Sequence, residues 1–331
     1  MKTIKLPVLI LSTSMIFASL AQAVELKISH VRPQDAIVDQ DAKALGAALS
    51  EATAGDVTLK IFAASSLGDY TTVQERISIG AVDMAIQPAA TASDRRMTIS
   101  SFPSLAENWN HAKEIYGPGG IIAETMKELY AEQGITMLAV YPVYFGGIAL
   151  NREAVNAGDP TAAKGIKVRV PGIKSFQMLA DKTGYIASPI PFSEAFTAVQ
   201  TGVVDGVIGS GAEGYYASFR DVTKTYIPAN THFEAWYLIV NTETFEGLDK
   251  EDQAAFLKVA EEFSAKRWEK AEKDQSEFEQ KLVANGAELV SLSDDELAAI
   301  ASKVRQDVWP EILEDVGKEW GQAILDKVSA E

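Results

Sequence analysis

Alternating runs of apolar and polar residues divide the N-terminal part of the chain into strands and helices. Glu25 to His30 alternates with a period of two, and Val57 to Phe62 and Ala81 to Ile86 are further strand-like runs. Helical spacing of apolar residues fills the intervals, over 38–53 and 71–78. Strands that alternate with helices in this way predict a parallel sheet with helices on both faces. This part of the chain is therefore expected to form an α/β lobe.

The stretch from Ala163 to Gly209 repeats this alternation in a more compact form. Ile166 to Val170 alternates as a strand, and a proline and a glycine end it. A helical segment follows, with room for a short strand before a second helix over 192–201. Val203 to Ile208 is then a short apolar run that predicts a buried strand. We expect a second α/β unit here.

One isolated arginine in this unit suggests a binding site. Arg169 stands at the end of the first strand, and Phe192 stands at the start of the second helix. Ligands of open α/β sheets bind outside the carboxyl ends of the strands, and a guanidinium holds a carboxylate in a bidentate fork. The alternative for a single arginine is a surface salt bridge. The pattern favours a site for an acid.

Residues that follow other strand ends are further candidates for the same site. His30 and Val31 follow the first strand, 66–69 the second and Gln87 to Ala89 the third. Each of these positions is also compatible with an ordinary loop.

Aromatic residues could supply an apolar wall for the ligand. They are Tyr144, Phe145, Phe192, Tyr215 and Trp236, and Trp236 is equally compatible with a core position.

A long helix is predicted near the C-terminus. After Asp249 the chain runs to Ala284 without proline or glycine and stops at Asn285. A helix of this length spans on the order of 54 Å, more than one lobe. Its apolar residues stand towards the two ends, its middle is largely polar, and it lacks the heptads of a coiled coil. Residues 294–329 predict one or two more helices, broken at Pro310.

Composition narrows the function classes. The 331 residues are 47% hydrophobic, with a formal net charge of −16, which argues against binding nucleic acid or an anionic membrane surface. No cysteine is present, and the three histidines are scattered without metal-ligand spacing. We therefore expect no metal site and no cofactor.

The N-terminus has the pattern of a secretory signal. Two lysines precede an apolar run from Leu6 to Leu20, and Ala21-Gln22-Ala23 matches a cleavage site. A membrane anchor is the alternative, but the run is short for a span of about 20 residues. We expect residues 1–23 to be cleaved, the protein to reach the periplasm and the mature chain not to be embedded in the membrane.

Several motifs resemble the solute-binding proteins of tripartite ATP-independent periplasmic (TRAP) transporters, the DctP-like family. They are KGIKVRVP at 164–171, PIPFSE at 189–194, AVQTGVVDG at 198–206, LKISHVRP at 26–33, SSLGD at 65–69, IGAVDMAI at 79–86 and LDKEDQAAF at 248–256. The resemblance covers nearly all of the chain after the signal.

The resemblance implies a two-lobed periplasmic-binding-protein (Venus flytrap) fold, with mixed sheets flanked by helices and a long helix across both lobes. It places the crossovers near Gly147 and near Phe233, giving lobes of 24–146 with 235–275 and 147–234 with 276–331. It further implies that the protein is no enzyme, that its ligand is a small organic acid and that its partners are the permease subunits.

Two departures from the family bear on the ligand. Gly147 stands where the family usually carries a second arginine for the ligand acid. Val207-Ile208-Gly209 stands where a glutamate and an asparagine are common, which leaves Gly209 as space beside Arg169. These departures disfavour a dicarboxylate or sialic acid and favour a monoacid. A sulfonate or a zwitterion stays open, since Glu213 or Glu234 could meet a cationic group.

Residues 209–214, GSGAEG, also match the dinucleotide-binding pattern GxGxxG after a strand, with Glu234 20 residues beyond. The aromatic run from Tyr215 to Phe219 is short for the helix that this motif should open, so we expect a loop near the cleft instead. An exported hydrolase that uses Glu213 and Glu234 is the other function class, but no GxSxG or metal motif supports it.

Overall fold

A computed structural model of the chain describes residues 23–329. The predicted signal peptide lies almost wholly outside this range, so its cleavage stays a prediction. The strands are β1 (Val24–Ser29), β2 (Val57–Phe62), β3 (Met84–Gln87), β4 (Ile135–Phe145), β5 (Gly147–Leu150), β6 (Lys167–Val170), β7 (Ile186–Pro189), β8 (Gly206–Ser210), β9 (Thr225–Ile227), β10 (Phe233–Asn241) and β11 (Glu288–Leu289).

The helices connect these strands and cover both faces of the sheets. They are α1 (Ile37–Ala52), α2 (Tyr70–Ser78), a 3₁₀ helix (Arg95–Ser101), α3 (Trp109–Tyr116), α4 (Ile121–Ala131), α5 (Lys174–Lys182), α6 (Phe192–Gln200), α7 (Ala212–Phe219), α8 (Thr242–Glu246), α9 (Lys250–Ala284), α10 (Asp294–Asp307), α11 (Trp309–Val316) and α12 (Lys318–Val328).

The strands form two mixed sheets. The first has the order β2-β1-β3-β10-β4, and β10 runs antiparallel to both of its neighbours. The second has the order β11-β9-β5-β8-β6-β7, and β5 runs antiparallel to both of its neighbours. The other pairs are parallel. The parallel pairing expected for the first three strands is confirmed. Both sheets are mixed, as the family resemblance implies, because β10 and β5 run antiparallel to their neighbours.

The chain passes between the sheets after β4 and again before β10, and the lobe bounds built on these crossovers stay a prediction. β4 ends at Phe145 and β5 begins at Gly147, while β10 returns the chain to the first sheet after β9. The assignment of 276–331 to the second lobe stays a prediction. Within this segment α10 packs on α5, but α11 packs on the 3₁₀ helix and α12 on α4.

The long helix α9 runs from Lys250 to Ala284, within the predicted bounds. It lies along β4 and α1 of the first lobe and reaches α7 and β11 of the second. Its middle differs from the prediction, because Arg267 and Ala271 are buried. The Nε of Arg267 donates a 2.9 Å hydrogen bond to the carbonyl of Pro142, which attaches the helix to β4 just before the crossover.

The C-terminal segment forms three helices rather than one or two. The break before Pro310 falls at Val308, as predicted, and a second break at Gly317 separates α11 from α12.

Candidate functional site

A cavity lies between the two sheets. The volume inside it that the centre of a water-sized molecule can occupy is about 50 Å³. The first sheet and the elements connected to it contribute mainly Arg32, Tyr70, Tyr144, Glu234 and Trp236. The second contributes mainly Arg169, Phe176, Phe192 and Gly209. The wall therefore contains five aromatic and three charged residues among the seventeen that line it.

Arg169 projects from the end of β6, as the sequence predicts. Its Nε donates a 2.8 Å hydrogen bond to the carbonyl of Ile190, and its guanidinium carbon lies 5.6 Å from the ring centre of Phe192. The side chain is buried, and Nη1 has no hydrogen-bond partner among the described residues. The backbone contact and the aromatic ring thus fix the guanidinium while one of its donors is left free.

Burial makes this free donor costly. Desolvation lowers the pKa of Arg169, because a low-dielectric surrounding disfavours the charged form. A buried donor without a partner costs about 1–3 kcal/mol, and more when it is charged. An anion in the cavity would remove this cost by accepting from Nη1. The geometry of Arg169 is therefore that of an anion site.

A second arginine, Arg32, lies on the opposite wall but is already paired. It follows β1, and its Nε donates to the Glu213 carboxylate of α7 at 3.0 Å. Burial opposes its charge, but the Glu213 carboxylate and the Tyr144 hydroxyl outweigh this effect and raise the pKa of Arg32. Its guanidinium lies 5.0 Å from the ring centre of Phe192 and 4.9 Å from that of Trp236. Arg32 thus links the lobes through a buried ion pair.

Gly211, which directly precedes α7, and Gly214, which lies within α7, leave room for Tyr144 and Arg32. A Cβ on Gly211 would lie 2.4 Å from the ring of Tyr144, and a Cβ on Gly214 would lie 2.3 Å from Nη2 of Arg32. The Tyr144 hydroxyl also lies 3.0 Å from Oγ of Ser210. The GSGAEG segment is therefore a socket, in which residues of the second lobe receive Arg32 and Tyr144 of the first.

The expectation of a loop after this motif is wrong, because α7 covers Ala212–Phe219. The motif does join a strand to a helix, as a dinucleotide site would. The space that its glycines open is filled by two side chains of the other lobe, so it is closed to a pyrophosphate.

Gly214→Ala is expected to lower ligand affinity by at least about tenfold, because the new methyl group displaces Arg32 from the socket. Alanine itself favours a helix by up to about 1 kcal/mol, so loss of α7 is not the expected cause. Calorimetric titration with the acid selected by the screen described below measures the effect. Gly172→Ala is the matched control, since a Cβ there meets nothing within 4 Å. Equal affinities for the two variants would contradict the socket.

The structure brings five of the nine predicted ligand-binding residues to the cavity wall. They are Arg169, Phe192, Gly209, Tyr144 and Trp236. Trp236 is both wall and core, because β10 is buried on both faces.

The other four predicted residues lie behind the wall. The Nε2 of His30 is 3.1 Å from the Asp39 carboxylate, and burial lowers the pKa of His30. Gln87 donates to the carbonyl of Tyr70, Tyr215 lies against main-chain carbonyls of the second sheet, and Glu213 holds Arg32. These residues support neighbouring elements, and a direct role in binding stays a prediction for them.

Sequence reasoning missed Arg32 and Tyr70. Arg32 directly follows the candidates His30 and Val31, so its position after a strand end was the available signal. Tyr70 begins α2, and burial raises the pKa of its hydroxyl to about 12. Gly147, which stands where the family usually carries a second arginine, does not line the cavity. A Cβ at this position would face the ring of Tyr226.

Residues 23–329 are the part of the chain that the structure describes. Within this range no group of three or more histidines and carboxylates is placed to hold a metal ion. No helix in the same range is long and apolar enough to cross a membrane.

The fold is that of two-lobed binding proteins. It matches the galactonate-bound sugar acid binding protein of Advenella mimigardefordensis with a TM-score of 0.85 at 18% identity, over 93% of this chain and 99% of that one. It also matches a Bordetella pertussis extracytoplasmic solute receptor that binds pyroglutamic acid, with a TM-score of 0.81 at 22% identity, over 93% and 100%. The predicted two-lobed α/β fold is thereby confirmed.

Sequence comparison assigns the family. The model for bacterial extracellular solute-binding proteins, family 7 (DctP), matches residues 28–315. A solute-binding protein of Roseobacter denitrificans is 27% identical over 73% of this chain and 74% of its own length. The chain belongs to the DctP family of bacterial extracellular solute-binding proteins.

Proposed function

We propose that this protein is the periplasmic receptor of a TRAP transporter and captures a small organic monoacid between its lobes for delivery to the membrane permease. The observation that carries the proposal is the buried Arg169, whose Nη1 has no partner among the described residues and which lines the cavity between the lobes. An anion that accepts from it gains a charge-assisted hydrogen bond in a water-poor site.

A monoacid fits this cavity better than a diacid. Arg32 is the other cation on the wall, and its charge is already balanced by Glu213. A second ligand carboxylate would therefore lack a free cation. The aromatic walls favour an apolar body between the ligand's polar groups, and the acids bound by the structural relatives support the acid class.

Capture involves closure of two nearly rigid lobes, 24–146 with 235–275 and 147–234 with 276–331. The Arg32–Glu213 ion pair and the contact of Tyr144 with Ser210 both join the lobes. A ligand that contacts both walls shifts the population towards this closed arrangement, because it binds the open one less well.

The site gives no support for the alternative, an exported hydrolase that uses Glu213 and Glu234. Glu213 is held by Arg32 and does not line the cavity. Glu234 accepts hydrogen bonds from His232 and Trp236. The two carboxylates are thus engaged in separate contacts and do not face one reacting bond.

A thermal-shift screen of the purified protein against organic acids tests the proposal. At least one monoacid should raise the melting temperature by several degrees, since ligand at 100 times its dissociation constant adds about 2.7 kcal/mol of stability. The acid should be recovered unchanged after long incubation, as checked by NMR. Turnover of the bound acid, or stabilisation by uncharged analogues alone, would refute the proposal.

A further inference from the structure

A carboxylate lines the same cavity as Arg169. Glu234 lies on β10, where the pairing with β4 shifts register between Glu234 and Ala235. Such a bulge changes the direction of side chains, and Glu234, Ala235 and Trp236 all line the cavity although they are consecutive. The first sheet therefore presents a carboxylate to the ligand.

Two donors hold this carboxylate in place. Its Oε2 accepts from Nε2 of His232 at 2.8 Å, and its Oε1 accepts from Nε1 of Trp236 at 2.5 Å. His232 is fully buried, and its Nδ1 lies 3.0 Å from the hydroxyl of Thr231. A neutral imidazole satisfies both contacts, because the hydroxyl can donate to Nδ1 while Nε2 donates to Glu234. His232 and Trp236 thus fix the orientation of the carboxylate.

The charges on the wall set the charge of a well-matched ligand. Arg32 is balanced by Glu213, and the remaining charged residues on the wall, within the described chain, are Arg169 and Glu234. The formal charges of the wall residues Arg32, Arg169 and Glu234, together with Glu213, therefore sum to zero. A bound monoanion would leave one negative charge uncompensated in a closed, desolvated site, which is costly. A ligand that carries one positive and one negative charge would leave no charge uncompensated.

We propose that the captured acid is a zwitterion, whose carboxylate binds Arg169 and whose cationic nitrogen binds Glu234. This inference rests on the proposed function and narrows it to compact amino acids or betaines with an apolar body. Glu234 lies on β10 of the first sheet and Arg169 on β6 of the second, so one zwitterion contacts both sheets and favours closure.

Matched pairs of ligands test the charge requirement. Proline is compared with cyclopentanecarboxylate, phenylalanine with 3-phenylpropionate and 4-aminobutyrate with butyrate, by thermal shift and calorimetry on the purified protein. In at least one pair the zwitterion should bind at least tenfold more tightly than the acid that lacks nitrogen. If the simple acid binds equally well or better in each pair, the inference is overturned.

Variants of Glu234 separate charge from packing. Glu234→Gln keeps the size of the side chain and one acceptor oxygen but removes the charge. It should lower the affinity for the zwitterion at least tenfold and raise the affinity for the matching nitrogen-free acid. Glu234→Asp keeps the charge and should keep the preference. Glu288→Gln removes an exposed carboxylate and serves as the control. The ligand-free melting temperature of each variant verifies folding, and an unchanged preference in folded Glu234→Gln would overturn the inference.

Failure of this inference differs from failure of the proposed function. If the protein binds only nitrogen-free acids and Arg169→Ala abolishes this binding, the proposed function stands and the zwitterion inference fails. If Arg169→Ala leaves the binding of both members of each pair unchanged, the proposed function and the zwitterion inference both fail.

Discussion

Replacing Arg169 with alanine is expected to weaken binding of the captured acid by about 2–5 kcal/mol, at least tenfold in affinity. The ligand anion would lie in the closed cavity without its partner, and the guanidinium that Phe192 and the Ile190 carbonyl now fix would be missing. The melting shift given by the best acid of the screen should nearly vanish at the concentration that stabilises the wild type.

Two further variants define what the arginine contributes. Arg169→Lys should not restore binding, because an ammonium lacks the planar fork. Phe192→Ala should weaken the binding of acids and of uncharged analogues alike, since it removes apolar contact rather than charge. An Arg169→Ala protein that keeps the full melting shift would remove this residue from the proposed site.

Loss of Arg32 is expected to disfavour closure. Arg32→Ala would leave Glu213 buried without a cation in the closed state, at a cost of about 3–5 kcal/mol. In an open state the carboxylate would meet water, so the equilibrium should move towards opening. Small-angle scattering should show a larger radius of gyration than that of the wild type at equal ligand concentration, and affinity should fall by at least about a hundredfold.

Paired controls separate the ion pair from other effects. The double variant Arg32→Leu with Glu213→Leu should recover part of the affinity, because replacing both partners with apolar groups is often neutral. Lys318→Ala breaks an exposed ion pair with Glu314 and should change neither measurement. Arg32→Ala with wild-type affinity and scattering would show that the pair does not govern closure.

Local patterns predicted most of the secondary structure. The bounds of β2 agree with the apolar periodicity, and those of α9 agree with the Asn285 stop. These elements are specified by nearby residues, so a single sequence contains the required information. The helix α7 was missed because its aromatic run is short and the glycines before it resemble a loop.

The candidate site was predictable only in part, for a physical reason. Arg169 and Phe192 follow strand ends within one motif-rich stretch, and the motif itself points to them. Arg32 and Glu213 are 181 residues apart, and neither has a local signal of the pairing. The charge balance of the cavity depends on that distant pairing, so the preference for a zwitterion could not be decided from the sequence.

The place of β10 in the first sheet has a consequence for folding. β3 and β4 do not pair with each other, and β10, Phe233–Asn241, lies between them. Until the chain has emerged as far as Asn241, the first sheet remains in two pieces with unpaired edges, which are prone to aggregate. Such distant pairings slow folding. A chain that ends before Phe233 should therefore lack a stable first lobe, although that fragment contains four of the five strands of its sheet.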